Sequence, residues 1–281
     1  YNTKTIWGNG TAAYYMPCTA AASATCYVYT PGEIILIGNT LYLADYNNYR
    51  IRSLVVGTSS TLVNNGAVTD ILGYDSKAGF AGNGGTSAES VQWNNPLNLY
   101  YDTTSSRLIV TDYTNRRFRT VNLSTGRVDA YIGNGSGNAN VTNQDPSLVL
   151  TQGPRQVLNY TYSNVSYMLY SDQNSNNCLV RGWNTSANVQ SMFGVSINSN
   201  AVQTIAGNYV NGCGAWNAST VTSTDSNAML SNPNGITTDG SNLYIANTSA
   251  HCILKVTSTG SISVLAGSCG SIGAANTAVM A

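Results

Sequence analysis

One pattern recurs four times along this chain: a proline opens an apolar run, a turn follows, a second apolar run ends in Asp or Asn, and a basic or cysteine residue starts a third run. The copies begin at Pro31, Pro96, Pro154 and Pro233. Their second runs read LYLADYNNYRI (Leu41 to Ile51), LIVTDYTNRRF (Leu108 to Phe118), MLYSDQNSNNCL (Met168 to Leu179) and LYIANTSAHCI (Leu243 to Ile253). A further run with a glycine-bearing loop follows each copy: ILGYD from Ile71, YIGNG from Tyr131, TIAGN from Thr204 and VLAGS from Val264, with a related TIWGNG ahead of the first copy from Thr5. A unit this small cannot bury its own apolar face, so repetition at this period implies units stacked on one another around a shared core.

The first copy reads as four antiparallel strands. Pro31 opens a strand where a missing N–H does least harm, and Ile34 to Ile37 form a short apolar run suited to an innermost strand packed on both faces. Gly38-Asn39 signals a turn, Leu41 to Ala44 a second strand, and Asp45 to Asn48 another turn. Arg50 to Val56 alternates as a third strand, and Thr69 to Leu72 supplies a fourth after a polar loop. Four such strands and a loop to the next set make one blade of a β-propeller, which puts the chain in the all-β class.

The run LYLADYNNYRIRSL, preceded by PGEIILIGNT and followed by AGFAGNGG, closely resembles an NHL repeat. Blades of that family combine a Pro-Gly start, an aliphatic-Ala-Asp strand end, an Asn-x-Arg-Ile turn and a glycine-rich loop. The resemblance covers nearly the whole chain and weakens in copies three and four, where Cys178 and Cys252 stand at the position of Arg50 and Arg117 and Asn247 replaces the aspartate. It implies a single propeller domain over 1–281, with repeat cores at 31–73, 96–133, 154–207 and 233–267. NHL propellers are closed rings of five or six blades, whereas four complete units stand here. Lys4 to Trp7 resembles an outer strand without its own blade, and the residues after Gly267 open a loop toward another. The native species is therefore expected to be larger than a lone monomer: part of a longer chain, an oligomer or a filament subunit.

Composition narrows the partners. Charged residues make up 9% against the roughly 25% of ordinary soluble domains, so Asn, Ser, Thr and Tyr must build the solvated surface. Net charge is zero with no basic stripe, which removes the electrostatic basis for nucleic-acid binding. Runs such as Glu33 to Ile37 are far too short to span a bilayer. Six cysteines point to an oxidising compartment. Cys178 and Cys252 are repeat-equivalent and each is followed by a cysteine in the next glycine loop, which predicts Cys178–Cys213 and Cys252–Cys269 and leaves Cys18–Cys26. Nine Asn-x-Ser/Thr sequons occur, at Asn9, Asn122, Asn134, Asn140, Asn159, Asn164, Asn184, Asn217 and Asn247; of these, Asn134, Asn140, Asn184 and Asn217 fall in polar loops where a glycan can point to water. Extracellular or cell-surface placement is the joint expectation.

Candidate chemistry is sparse. The single histidine, His251, reads as a surface turn residue, so neither a Ser-His-Asp nor a Cys-His arrangement has candidates, and the several histidines of NHL-type zinc lyases are missing. AGNGG at Ala81 is a lone glycine loop joining repeats. Asp45, Asp112 and Asp172 read as strand-end carboxylates that accept turn amides and orient the arginine that follows. One polar set stands apart: Glu33, Asn98, Gln156 and Gly235 each lie two residues after a strand-opening proline, where innermost strands line a channel. A glutamate with amide oxygens is a hard-cation donor set, similar to the calcium site of gluconolactonase-like propellers. The primary expectation is a non-enzymatic structural or adhesive glycoprotein module with no cofactor, associating with further protein chains, itself included. Its rival is a calcium-dependent hydrolase or lactonase using that set.

Overall fold

The computed structural model describes residues 7–13, 26–56, 68–73, 77–85, 90–136, 144–174, 177–208, 213–214 and 229–270. Its contacts divide the chain into two compact units, 1–130 and 131–281. Among the described residues every long element is a strand, and no helix is long and apolar enough to cross a membrane.

The first unit carries two blades. The strands β1 (Pro31–Ile37), β2 (Thr40–Asp45), β3 (Arg50–Val55) and β4 (Val68–Leu72) form a sheet in sequence order, and β5 (Pro96–Asp102), β6 (Arg107–Asp112), β7 (Arg117–Asn122) and β8 (Val128–Ile132) form the next, its last strand straddling the boundary. Period-two alternation sends one set of β1 and β2 side chains toward the second blade: Ile35, Ile37, Tyr42 and Ala44 pack with Leu99, Leu108, Val110 and Trp93. The opposite set behaves differently from expectation. Ile34 and Leu36 are exposed, so β1 is packed on one face only, because within this unit no blade precedes it.

The second unit repeats the plan with one insertion. The strands β9 (Pro154–Tyr162), β10 (Val165–Asn174) and β11 (Asn177–Asn184) lead into a short hairpin, β12 (Gln190–Met192) and β13 (Val195–Ile197), before β14 (Ala201–Ala206) completes the blade. The last blade is β15 (Pro233–Thr238), β16 (Leu243–Asn247), β17 (Cys252–Val256) and β18 (Ile262–Gly267), again in sequence order. The four sheets thus match the four predicted repeats.

Two local devices recur. Tyr49, Arg116 and His251, each the last residue of the turn before a third strand, adopt left-handed backbone at φ 55°, 55° and 58°. The residue before three of the strand-opening prolines does the same, at Thr30, Asn95 and Asn232. Each turn is pinned to that pre-proline corner by main-chain bonds, Asn47 N–H to the Tyr29 carbonyl in blade one and Thr248 N–H to the Asn232 carbonyl in blade four. His251 is accordingly an exposed turn residue.

The third strand is tied to the glycine loop in two chemically different ways. In blade one Arg50 Nη1 donates to the Gly73 carbonyl at 3.0 Å. At the same position in blades three and four, Cys178 and Cys252 form the predicted disulfides with Cys213 and Cys269. Cys26 is also disulfide-bonded, while Cys18, its expected partner, lies outside the described residues, as do Lys4 to Ile6 of the proposed extra strand and all residues after Gly270. The loop glycine itself cannot be replaced freely: a Cβ on Gly207, at φ +102°, would collide with the Cys178 carbonyl oxygen. Gly240 has φ +91° but open space around it. Gly240→Ala should therefore cost about 1–2 kcal/mol from left-handed strain alone. Gly207→Ala should cost about 3 kcal/mol or more because strain and collision combine. Urea unfolding of the two variants checks this; equal midpoints would show that the loop moves away at no cost.

Candidate functional site

The strand-end carboxylates are completely buried and each sits in a cradle of donors. Asp45 Oδ1 accepts the Tyr29 N–H at 2.8 Å, and Oδ2 accepts Asn48 Nδ2 at 2.9 Å and Arg52 Nη1 at 3.0 Å. Asp112 repeats this with the Asn94 N–H at 2.8 Å, Asn115 Nδ2 at 2.9 Å and Arg119 Nη1 at 3.4 Å. In blade three the Gln152 and Gly153 N–H groups bond Asp172 Oδ1, with Arg181 Nη2 3.2 Å from Oδ2. The arginines complete the knot by donating to carbonyls of the segment that enters the blade: Arg52 to Tyr27, Arg119 to Gln92 and Ala81, Arg181 to Leu150.

The arginine bonded to the aspartate lies in the middle of the third strand, at Arg52 and Arg119, two residues beyond the strand-opening Arg50 and Arg117. Antiparallel pairing explains why: Asp45 lies opposite Arg50 in the ladder, and Arg52, two residues further along, is on the same face of its strand as Arg50 but reaches back beneath the turn. Arg117 instead lies over the Phe80 ring, 4.1 Å from its centroid.

Burial dominates the electrostatics. It pushes the Asp112 carboxyl up to about 6, against the downward pull of Asn115, the Asn94 N–H and Arg119, and it raises Asp45 in the same sense. The Arg119 guanidinium is lowered, again chiefly by burial. Both partners of the Asp112–Arg119 pair are thus penalised by desolvation, as expected when two charges leave water together. Blade four omits the whole arrangement. Asn247 stands for the aspartate, Ala250 for the turn asparagine and Leu254 for the arginine, all three buried, and Asn247 Oδ1 still accepts the Ser231 N–H at 2.6 Å. Removing charge, counter-charge and bridging amide together leaves no orphaned ion.

Within each unit the innermost-strand polar residues bond across neighbouring blades. In the first unit Asn98 Nδ2 donates to Glu33 Oε2 at 2.7 Å, joining β1 to β5. In the second, Gln156 Oε1 accepts the Ile236 N–H at 2.7 Å, joining β9 to β15, where Gly235 offers no side chain. Ser171 Oγ adds a bond to the Asn234 carbonyl at 2.7 Å. Among the described residues no group of three or more His, Cys, Asp or Glu could hold a metal ion. Glu33 and Asn98 supply two oxygen-bearing side chains, and a hard cation there would need further oxygens.

The sequons fall into distinct settings. Asn164 is exposed in the two-residue turn between β9 and β10, with Ser163 and Asn164 at φ 49° and 62°, a hairpin turn of the primed type. Asn184 was expected in a polar loop open to water, and the structure corrects this: it is buried, and its Nδ2 donates to the Asn188, Ile197 and Asn198 carbonyls at 2.7, 3.2 and 3.0 Å. That nitrogen would carry the glycan, and here it closes the base of the β12–β13 insertion. Asn247 is buried in its turn as described. Asn9, Asn122, Asn134 and Asn159 are half-buried, and Asn140 and Asn217 lie outside the described residues. The insertion itself was missed in the sequence, although QSMFGVSI alternates around a Phe-Gly pair, a hairpin signal.

These blades define the chain as a β-propeller type. No family model and no curated protein matches it. Among solved structures it is similar to a protein of unknown function from Bacteroides thetaiotaomicron, at 16% identity and a TM-score of 0.51, over 83% of this chain and 46% of that one. The chain therefore spans about half the length of that protein, and the likeness bears on the fold alone. Lower scores relate it to a chain of a nidogen–laminin complex (10% identity, 79% and 73% covered, TM-score 0.38) and to streptogramin B lyase (12%, 83% and 67%, TM-score 0.39).

The knot in blade two generates a test. Asp112→Asn strands the buried Arg119 charge and should cost about 3–5 kcal/mol. Copying blade four in full, with Asp112→Asn, Asn115→Ala and Arg119→Leu together, should cost clearly less than the sum of the single changes, as read from denaturant midpoints. Strict additivity would show that the three side chains do not act as a unit. Because the folded carboxyl lies above its unfolded value, its contribution to stability is present below about pH 4 and is lost as pH rises through about 6, so this part of the pH slope should be absent from the triple variant.

Proposed function

We propose that the chain is a non-enzymatic structural or adhesive module of the NHL type, secreted and carrying N-linked glycans, that works by presenting loops and faces from a rigid propeller scaffold. One observation carries the reading: the polar side chains that invite a catalytic role are already used to hold the fold. Asp45, Asp112 and Asp172 are sealed in ion pairs, while Asn98 and Gln156 bond the neighbouring blade. Groups locked in this way cannot move a proton or meet a substrate without dismantling a blade. The NHL assignment rests on the Pro-Gly start at Pro31, the Ala44-Asp45 strand end and the glycine loops. Secretion is supported by the two described disulfides, which persist in oxidising compartments.

A calcium-dependent hydrolase remains the second reading, and the contact of Glu33 with Asn98 is the observation in its favour. Calorimetric titration of the chain with calcium separates the two: no saturable heat is expected, whereas tight binding lost in Glu33→Gln, together with opening of simple lactones, would replace the scaffold by the enzyme. Glycopeptide mass spectrometry of secreted protein should find Asn164 modified, with Asn184 and Asn247 bare. Full occupancy of Asn184 would mean that the β12–β13 insertion is not held as described.

A further inference from the structure

Among the described sequons Asn164 alone is exposed, and no described residue hydrogen-bonds its side-chain amide. Asn184 Nδ2 is claimed by three carbonyls, and Asn134 Nδ2 donates to the Leu148 carbonyl at 3.3 Å. Two residues before Asn164 stands Tyr162, 39% exposed. Among the described aromatic residues only Phe80 is as open to solvent, and Phe80 already lies against the Arg117 guanidinium, 4.1 Å from the ring centroid. The free aromatic ring and the free sequon amide therefore share one turn.

The ring is fixed from below. Tyr162 ends β9 opposite Val165, the first residue of β10. Period-two alternation puts Tyr160 on the same face, and the two rings lie within 12° of parallel with centroids 6.1 Å apart. Tyr160 is buried, packed on Phe193 at 5.1 Å and on Tyr167 at 5.9 Å, and its hydroxyl donates to the Gly240 carbonyl at 3.3 Å. Tyr162 thus continues an anchored aromatic row into solvent, and a contact made on it orders little that is not already ordered. Two residues of chain separate Cα atoms by at most about 7 Å, so a sugar on Asn164 Nδ2 is within reach of the ring.

Resting on the glycoprotein reading above, we propose that the first N-acetylglucosamine on Asn164 packs a C–H face on the Tyr162 ring and holds the β9–β10 hairpin closed. In the linkage step Asn164 Nδ2 loses a proton and bonds the anomeric carbon of a lipid-linked oligosaccharide, and the lipid pyrophosphate leaves with the electrons of the broken C–O bond. A β-linked N-acetylglucosamine carries its polar substituents around the rim and C–H bonds on its faces, which suits the electron-rich face of an aromatic ring. The occupant is this sugar and not a free one, because a tether within the same turn gives it an effective concentration that a dissolved sugar does not reach. The stack exists only while strand end and turn are in place, so it penalises opening of the hairpin.

The test uses the secreted chain with its glycans trimmed by an endoglycosidase to single N-acetylglucosamines, beside Ser166→Ala, which lacks this sequon, and Tyr162→Ser. Proton NMR should show ring-facing protons of the Asn164 sugar shifted upfield; these signals should be missing from Ser166→Ala and return to ordinary positions in Tyr162→Ser. The sugar should raise the urea midpoint by about 0.2–0.5 M over Ser166→Ala, a gain that disappears when Tyr162→Ser is added to both. Tyr162→Phe keeps the ring and should retain both effects, and Tyr162→Leu replaces Tyr162→Ser if the latter is not secreted. Unshifted sugar protons, a midpoint that does not rise, a gain that survives loss of the ring, or Asn164 left bare while other sequons are modified would overturn the inference and leave the glycoprotein reading. A chain bare at every sequon would overturn both. Glu33-dependent lactone turnover in a protein whose sugar protons are shifted would overturn the scaffold reading and leave the stack.

Discussion

The buried carboxylate at the end of the second strand, at Asp45, Asp112 and Asp172, is the contact on which the first three blades depend. It joins the segment entering the blade, the turn and the third strand. Asp45 takes an N–H from the segment entering the blade, closes the turn through Asn48, and holds Arg52 of the third strand, whose guanidinium returns to the Tyr27 carbonyl. A carboxylate in such a place gains little net energy, because desolvation cancels most of the ion-pair attraction. Its value is geometric. An antiparallel sheet can slip by two residues and still bury the same face, but a slipped strand would leave a bare charge in the core.

Blade four bears this out from the other direction. There the register is held without ions, by a disulfide at the start of the third strand and by an amide at the end of the second. Blade one uses an Arg50 bond to a carbonyl where blade four uses Cys252, and blade three has both the buried pair and the disulfide. The positions are therefore fixed by the fold, while the chemistry that fills them is interchangeable. This explains why the resemblance to one repeat motif fades along the chain although the sheets do not.

The same distinction decides how much was legible in the sequence. Strand order, the four repeats and the two described disulfides followed from periodicity, turn residues and repeat alignment, since these express local geometry. The partner of each aspartate did not, because the choice between Arg50 and Arg52 depends on how the strand passes under the turn. The role of Asn184 was hidden for a similar reason. A sequon in a polar segment looks solvated until the insertion folds back and its three carbonyls claim the amide. Exposure of Ile34 also could not be read locally, because an apolar run on an innermost strand looks the same whether one face is covered or two.

A residue type repeated in every blade is explained by what every blade needs, so whatever distinguishes this chain must lie where the repeats differ. Two such places stand out: the β12–β13 insertion held by Asn184 and the exposed Ser163–Asn164 turn. Both belong to the third blade, so that blade is where the surface of this chain departs most from its repeat.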